Sequence, residues 1–286
     1  MKIGIALSGG GIRGIAHAGA LKALEENGIK PSVIGGTSSG GLIASLYALG
    51  YSPYYIYILF KRYSEDIVEI NSTPIVTGIS NFMMNKKIIL SGLKTGETIE
   101  DAYNNLALKK GVRKISDIKT MPLVIPAVDV SEAKEYVFTN KIPSKSKNNE
   151  RYITDITVGK AVRASSSFPA IFCPCQFKEH RFLDGGVLDN IPVKEVKKQG
   201  ADKVIAINFK ADEINEQSNI MDVVMRTIDI MGNKIGEKNL EKSDYVLTIK
   251  TDKTGLLDVK KLDNCYKYGY EAVSKKIGEI KQVLDI

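Results

Sequence analysis

Two glycine-framed strings near the start of the chain, Gly9-Gly10-Gly11-Ile12-Arg13-Gly14 and Gly36-Thr37-Ser38-Ser39-Gly40, constrain its fold more than any other feature. Each stands where an apolar run gives way to a helical pattern. Lys2 to Leu7 reads as a buried strand before the first string, and Ile15 to Asn27 as the helix after it. Ser32 to Gly35 reads as a second strand, and Gly40 to Leu49, closed by Gly50, as the helix after the second string. Two consecutive strand, turn, helix units argue for an α/β fold.

The second string has the G-x-S-x-G form of a nucleophile elbow, in which a serine sits on a sharp turn between strand and helix. The flanking glycines, Gly36 and Gly40, let strand and helix approach. Ser38 then lies near a helix N-terminus, whose N–H groups and dipole favour developing negative charge. A glycine-rich turn capped by serines would use the same residues, with Thr37 and Ser39 as helix-entry positions.

The first string also spells G-x-G-x-x-G between a strand and a helix, the position of a dinucleotide fingerprint. That reading wants an acid at the end of the second strand to hold a ribose hydroxyl. None stands there, because the strand runs into the serine turn and Glu25 and Glu26 fall within the intervening helix. Three successive glycines, Gly9, Gly10 and Gly11, can instead turn backbone N–H groups onto one oxygen as an oxyanion hole. Arg13 is placed to tighten the loop. A purely structural glycine turn is the third possibility.

An acyl-transfer serine needs a base, and the chain has two histidines. His17 falls one helical turn beyond the glycine loop, where a packed or hydrogen-bonded role is expected. His180 sits in the polar turn Cys175 to Arg181, where a solvated histidine is expected. Another base is suggested by Phe182-Leu183-Asp184-Gly185-Gly186, an acid ending an apolar segment and succeeded by two glycines that clear space around it. A turn aspartate before glycine is the plainer alternative.

With these strings in this order the sequence resembles the patatin-like phospholipase family. The resemblance rests on Gly9 to Gly14, on Gly36 to Gly40, and on Asp184-Gly185-Gly186, whose third position is alanine or glycine in that family. Ala164-Ser165-Ser166-Ser167-Phe168-Pro169 resembles the family's serine-rich stretch ahead of the acid, and Asn190-Ile191-Pro192 resembles its usual segment after the acid. The resemblance covers residues 1 to about 210 and, more loosely, the remainder. It implies a lipid acyl hydrolase with a Ser38 and Asp184 dyad acting without histidine, an oxyanion hole at the glycine loop, an acyl-enzyme intermediate and no cofactor.

Composition fits such an enzyme: 286 residues, 43% apolar and 26% charged, can bury a sizeable core. Further strand signals fall at Pro122 to Val130, Glu135 to Thr139, Cys173 to Phe177, Arg181 to Leu183, Lys203 to Phe209 and Asp244 to Lys250. Helical patterns fall at Pro53 to Tyr63, Glu97 to Leu108, Gly159 to Ala164, Val193 to Gln199, Ile220 to Glu241 and Leu262 to Leu284. This alternation predicts a three-layer α/β/α architecture with a largely parallel central sheet. We expect one domain over residues 1–286, with a motif-bearing core to about 210 and a C-terminal strand and helix from about 219. Lys141 to Arg151 and Lys210 to Gln217 read as solvated loops.

Pro53 to Tyr63 is aromatic-rich, and Phe82 to Leu90 sets apolar residues beside lysines. Both suit an acyl pocket or contact with an anionic membrane surface, and both suit core packing equally well. The net charge of +7 favours an acidic partner. Nucleic acid is disfavoured, because the lysines are scattered without a binding motif. No signal-peptide core or membrane span is visible, which predicts a cytoplasmic protein, at most peripheral to a membrane. Three cysteines suit a reducing compartment, with Cys173 and Cys175 expected as buried strand residues. No ligand cluster in the sequence asks for a metal, calcium included.

Overall fold

The computed structural model describes residues 1–68, 94–144, 146, 149–169, 171–210, 220–252, 254–255 and 258–286. Phe82 to Leu90 and nearly all of Lys210 to Gln217 lie outside these residues. The strands are β1 (Ile3–Leu7), β2 (Val33–Gly36), β3 (Leu123–Asp129), β4 (Lys134–Thr139), β5 (Tyr152–Ile153), β6 (Cys175–Phe177), β7 (His180–Asp184), β8 (Lys203–Phe209) and β9 (Tyr245–Ile249). The helices are α1 (Ile15–Glu26), α2 (Ser39–Ala48), α3 (Pro53–Val68), α4 (Glu97–Leu108), α5 (Val158–Ser165), α6 (Val193–Lys198), α7 (Ile220–Leu240) and α8 (Leu262–Leu284).

One sheet runs in the order β5-β4-β3-β2-β1-β8-β9, with β7 added to β3 and β6 to β7. Within it the five neighbours β3, β2, β1, β8 and β9 are parallel to one another. All residues of β1 and β3 are buried, as expected of strands covered on both faces by helices. Their sequences are accordingly near-continuous apolar runs rather than alternating ones. β5, at two residues, is too short to leave a periodic signal. Cys175 is buried in β6 as expected, whereas Cys173 precedes that strand and is half-buried. No helix among the described residues is long and apolar enough to cross a membrane.

The antiparallel pairings carry the consequence for the site. β4 covers one edge of β3 from Val124 to Asp129. On the other edge β2 pairs with Leu123 and Val124, while β7, running in the opposite direction, pairs with Ala127 to Asp129. β2 and β7 therefore run towards each other along a single edge, and their carboxyl ends meet beside Ile125 and Pro126. Pro126, which has no N–H to donate, stands in the gap between the two pairings.

The C-terminal segment joins the same framework. β9 extends the parallel sheet beside β8. α8 buries Leu262, Cys265, Gly269, Val273, Ile280 and Leu284 along one stripe and packs on α1.

Candidate active site

Ser38 stands between β2 and α2, and its backbone (φ 53°, ψ −124°) is held at positive φ, a strained conformation for a residue with a side chain. The surroundings fix that strain. The Ser38 N–H donates to Ser165 Oγ at 3.0 Å, Thr37 Oγ1 donates to the Asp189 carbonyl at 2.8 Å, and the Thr37 N–H donates to the Leu7 carbonyl at 3.1 Å. The flanking glycines are sterically required. A Cβ on Gly36 would stand 2.2 Å from the Gly40 carbonyl oxygen, and one on Gly40 would stand 2.5 Å from the Leu7 carbonyl oxygen.

Asp184 ends β7 and is 2% exposed. Its N–H donates to the Ser167 carbonyl at 3.0 Å, and its Oδ1 accepts the Gly186 N–H at 2.8 Å. Gly185 lies so close to the elbow that a Cβ there would meet Thr37 Cγ2 at 3.0 Å and the Pro126 carbonyl oxygen at 2.4 Å. The serine stretch thus holds both strand ends, Ser165 through the Ser38 N–H and Ser167 through the Asp184 N–H.

The glycine loop closes over the same place. A Cβ on Gly9 would lie 3.3 Å from Ser38 Cβ and 2.6 Å from Asn190 Oδ1, and one on Gly186 would lie 3.2 Å from that same Asn190 Oδ1. Gly9 does not have a spare donor: its N–H is shared between the Asn190 carbonyl at 3.1 Å and Asn190 Oδ1 at 3.2 Å. Gly11 follows at φ 57° and opens the single turn Gly11–Gly14 that leads into α1. Arg13 Nε donates to the Gly10 carbonyl at 3.2 Å, and its guanidinium lies 5.5 Å from the centre of the Phe209 ring. A Cβ on Gly14 would strike Ser39 Oγ at 2.4 Å, so the loop's last glycine serves packing against the elbow.

His17 is fully buried in α1, with its Nε2 2.9 Å from the Ser8 carbonyl and its ring 4.7 Å from that of Phe209. A carbonyl partner requires the Nε2–H tautomer, so the neutral ring braces the start of the glycine loop. Burial lowers its pKa to about 4, against a smaller opposing effect of the Ser8 hydrogen bond. Because the unfolded chain takes up this proton near pH 6.5 and the folded chain only near pH 4, stability is lost as pH falls through that window. The loss is about 3 kcal/mol. Urea unfolding monitored from pH 7 to pH 4 should show it, and His17→Gln should flatten it.

His180 departs from the solvated position expected of it. It opens β7 half-buried, with Nδ1 3.0 Å from Oδ2 of Asp129, a residue 1% exposed at the end of β3. Asp129 also accepts the N–H groups of Ser131 and Glu132 at 2.8 Å each and of Arg181 at 3.2 Å. Burial pushes its carboxyl up, and the hydrogen bonds from Glu132, Arg181, His180 and Ser131 outweigh this and hold it below the usual carboxylate range. Donor atoms of Asp129, Glu132 and His180 lie within 4.8 Å of one another, a grouping the sequence does not suggest. With four hydrogen bonds already on its two oxygens, Asp129 serves as a hydrogen-bonded strand end that ties β7 to β3.

Three supporting residues escape sequence reasoning as individuals. Ser165 and Asn190 lie in strings that could be noticed, but their roles depend on contacts with Ser38 and Gly9 from distant parts of the chain. Asp189 is buried, accepts from Asn239 Nδ2 at 3.1 Å, and has its carboxyl pushed well above the usual range by burial and then by the charge of Glu135. Ser165→Ala should leave the Ser38 N–H without its side-chain acceptor. We expect the rate of fluorophosphonate labelling to fall about tenfold, with Ser165→Thr recovering part of it.

An α/β sheet whose strand ends bring a serine elbow, a glycine loop and a buried Asp-Gly-Gly turn together has the architecture of a serine hydrolase. A family model of patatin-like phospholipases matches residues 5–197, and the chain belongs to that family. Its members are ester-hydrolysing serine hydrolases. The chain is 26% identical over 301 residues to lysophospholipase NTE1 of Candida albicans, covering 93% of this chain but 19% of that protein. It is 30% identical over 216 residues to the uncharacterized protein YqhO of Bacillus subtilis, covering 72% of this chain and 70% of that one. In fold it is similar to the crystal structure of VipD from Legionella pneumophila, with TM-score 0.52 and 13% identity, covering 99% of this chain and 66% of that one.

Proposed function

We propose that this protein cleaves carboxylic ester bonds of lipids, with Ser38 as nucleophile and Asp184 as proton acceptor. The observation that carries the reading is the meeting of β2 and β7 on one edge of β3, which brings the Ser38 elbow and the Asp184 turn against each other under the glycine loop. Asp184 takes the hydroxyl proton as Ser38 Oγ attacks the carbonyl carbon. The N–H groups of Gly10 and Gly11 hold the oxyanion, and Asn190, by occupying the Gly9 N–H, keeps the loop in place for them. Collapse of the tetrahedral species expels the alcohol or lysolipid, which takes up the proton from Asp184. Water then attacks the acyl-enzyme with Asp184 again as base, releasing the fatty acid.

Family membership and the lysophospholipase among the relatives favour phospholipid or lysophospholipid substrates. The test is covalent labelling with a fluorophosphonate, mapped by mass spectrometry, beside a panel of p-nitrophenyl esters, phospholipids and lysophospholipids. Labelling at Ser38 with release of fatty acid supports the reading. Failure to label together with no ester turnover overturns it.

A further inference from the structure

Among the described residues, two helices each turn several large apolar side chains to solvent: α3 with Tyr54, Tyr55 and Ile58, and α7 with Val223, Ile230, Met231 and Ile235. Their relation to the site differs. α2 starts at the serine, and its ten residues carry the chain about 15 Å away before α3 begins. On α3 the aromatic rings already have partners, Tyr54 under the Lys22 ammonium and Tyr55 stacked on Tyr51.

α7 is seated on the turn just after Asp184. A Cβ on its Gly232 would lie 2.4 Å from the Gly186 carbonyl oxygen and 3.7 Å from Asn190 Cβ, and two turns further on Asn239 donates to Asp189. That fixes one face of α7 to Gly186–Asn190. At 100° per residue, Val223, Ile230 and Met231 fall with Lys234 and Lys238 in one arc of about 100° on the side away from Gly232, and Ile235, about 60° from Gly232, stands at the margin of the seated face. The four apolar residues are 42%, 52%, 57% and 46% exposed.

We infer that α7 docks the protein on an anionic lipid surface, Val223, Ile230 and Met231 entering the acyl boundary and Lys234 and Lys238 meeting phosphate headgroups. The inference rests on the lipid-ester reading of the site. Its support is the interfacial pattern itself, an apolar stripe interleaved with lysines, on a chain of net charge +7. Lys234 is 76% exposed and its pair with Glu237 is an exposed one three residues apart, a weak competitor for a headgroup phosphate. The seat on Gly186 supplies the functional reason. A bilayer against this face would lie one helix diameter, about 10 Å, from the Asp184 turn.

The experiment uses the full chain with vesicles of phosphatidylcholine alone and of phosphatidylcholine mixed with phosphatidylglycerol, read by sedimentation, beside hydrolysis of a monomeric water-soluble ester. Ile230→Glu combined with Met231→Glu should weaken vesicle binding about tenfold and leave soluble-ester turnover unchanged. Lys234→Glu combined with Lys238→Glu should abolish the preference for anionic vesicles. Wild-type protein that ignores vesicles, or an apolar double variant that binds them undiminished, overturns the inference. So does a self-associated wild type that the apolar substitutions make monomeric without any vesicle effect, since the stripe would then cover a second copy. Absence of soluble-ester turnover in every protein, with vesicle binding intact and lost in the variants, overturns the catalytic reading instead and leaves docking standing.

Discussion

Ser38→Ala and Asp184→Asn should each lower kcat/KM for a short-chain p-nitrophenyl ester by about a thousandfold or more, while His17→Gln and His180→Gln retain most of it. The reasoning is chemical and positional. In the proposed mechanism the acyl-enzyme forms on the Ser38 hydroxyl, and the Asp184 carboxylate at the end of β7 accepts its proton. His17 is bound to the Ser8 carbonyl and stays neutral above about pH 4, and His180 is bound to Asp129 at the opposite end of the same strand. Neither is in a position to take that proton. Two groups that act in one step are also not additive, so the double variant Ser38→Ala/Asp184→Asn should be about as slow as either single one. Near-normal turnover by Asp184→Asn, with circular dichroism matching the wild type, would refute the dyad. Collapse of activity in a folded His180→Gln would point to a base other than Asp184.

The second large effect is on stability and concerns the contact between α1 and α8. A Cβ on Gly269 would lie 1.8 Å from the Ala16 carbonyl oxygen, and one on Gly19 would lie 2.0 Å from the Tyr266 carbonyl oxygen. Both obstacles are helix backbone, so no side chain can rotate aside. Gly269→Ala must push the helices apart by roughly an ångström or more, opening gaps beside Cys265 and Val273, and should cost about 3 kcal/mol in urea unfolding. Gly278→Ala on the same helix is the control. Nothing lies within 4 Å of its Cβ position, so relief of the glycine's backbone entropy should stabilise by about 1 kcal/mol. Because α1 springs from the glycine loop, Gly269→Ala should also slow fluorophosphonate labelling of the fraction that remains folded. Equal stability of the two variants would show that α8 does not pack on the backbone of α1.

Much of the fold was legible because buried parallel strands and the helices between them leave strong local signals. β1, β3 and β8 are near-continuous apolar runs, and the glycine strings mark the turns that must be tight. The expectation of a largely parallel sheet holds for β3-β2-β1-β8-β9. What was not legible is the direction in which β7 returns. Its sequence, His180 to Asp184, says only that a short strand ends in an acid. That it runs antiparallel on the edge of β3 vacated by β2 depends on pairings between residues far apart in the chain. The same holds for His180, whose polar neighbours suggest solvent and whose actual partner, Asp129, lies across the strand pair.

The division at the site runs along the same line. The sequence by itself determined which residue types stand at the two glycine-framed turns and before Gly185-Gly186, because steric demands at a sharp turn act over a few bonds and admit little but glycine. The scarcity of histidine, together with the family resemblance, also made Asp184 the base proposed for Ser38. Only the tertiary structure decided that Gly9 is occupied by Asn190, that Ser165 and Ser167 clasp the two strand ends, and that α7 rests on Gly186. Those are hydrogen bonds and contacts between segments far apart in sequence, set by strand order and helix packing, and no local pattern of residues encodes them.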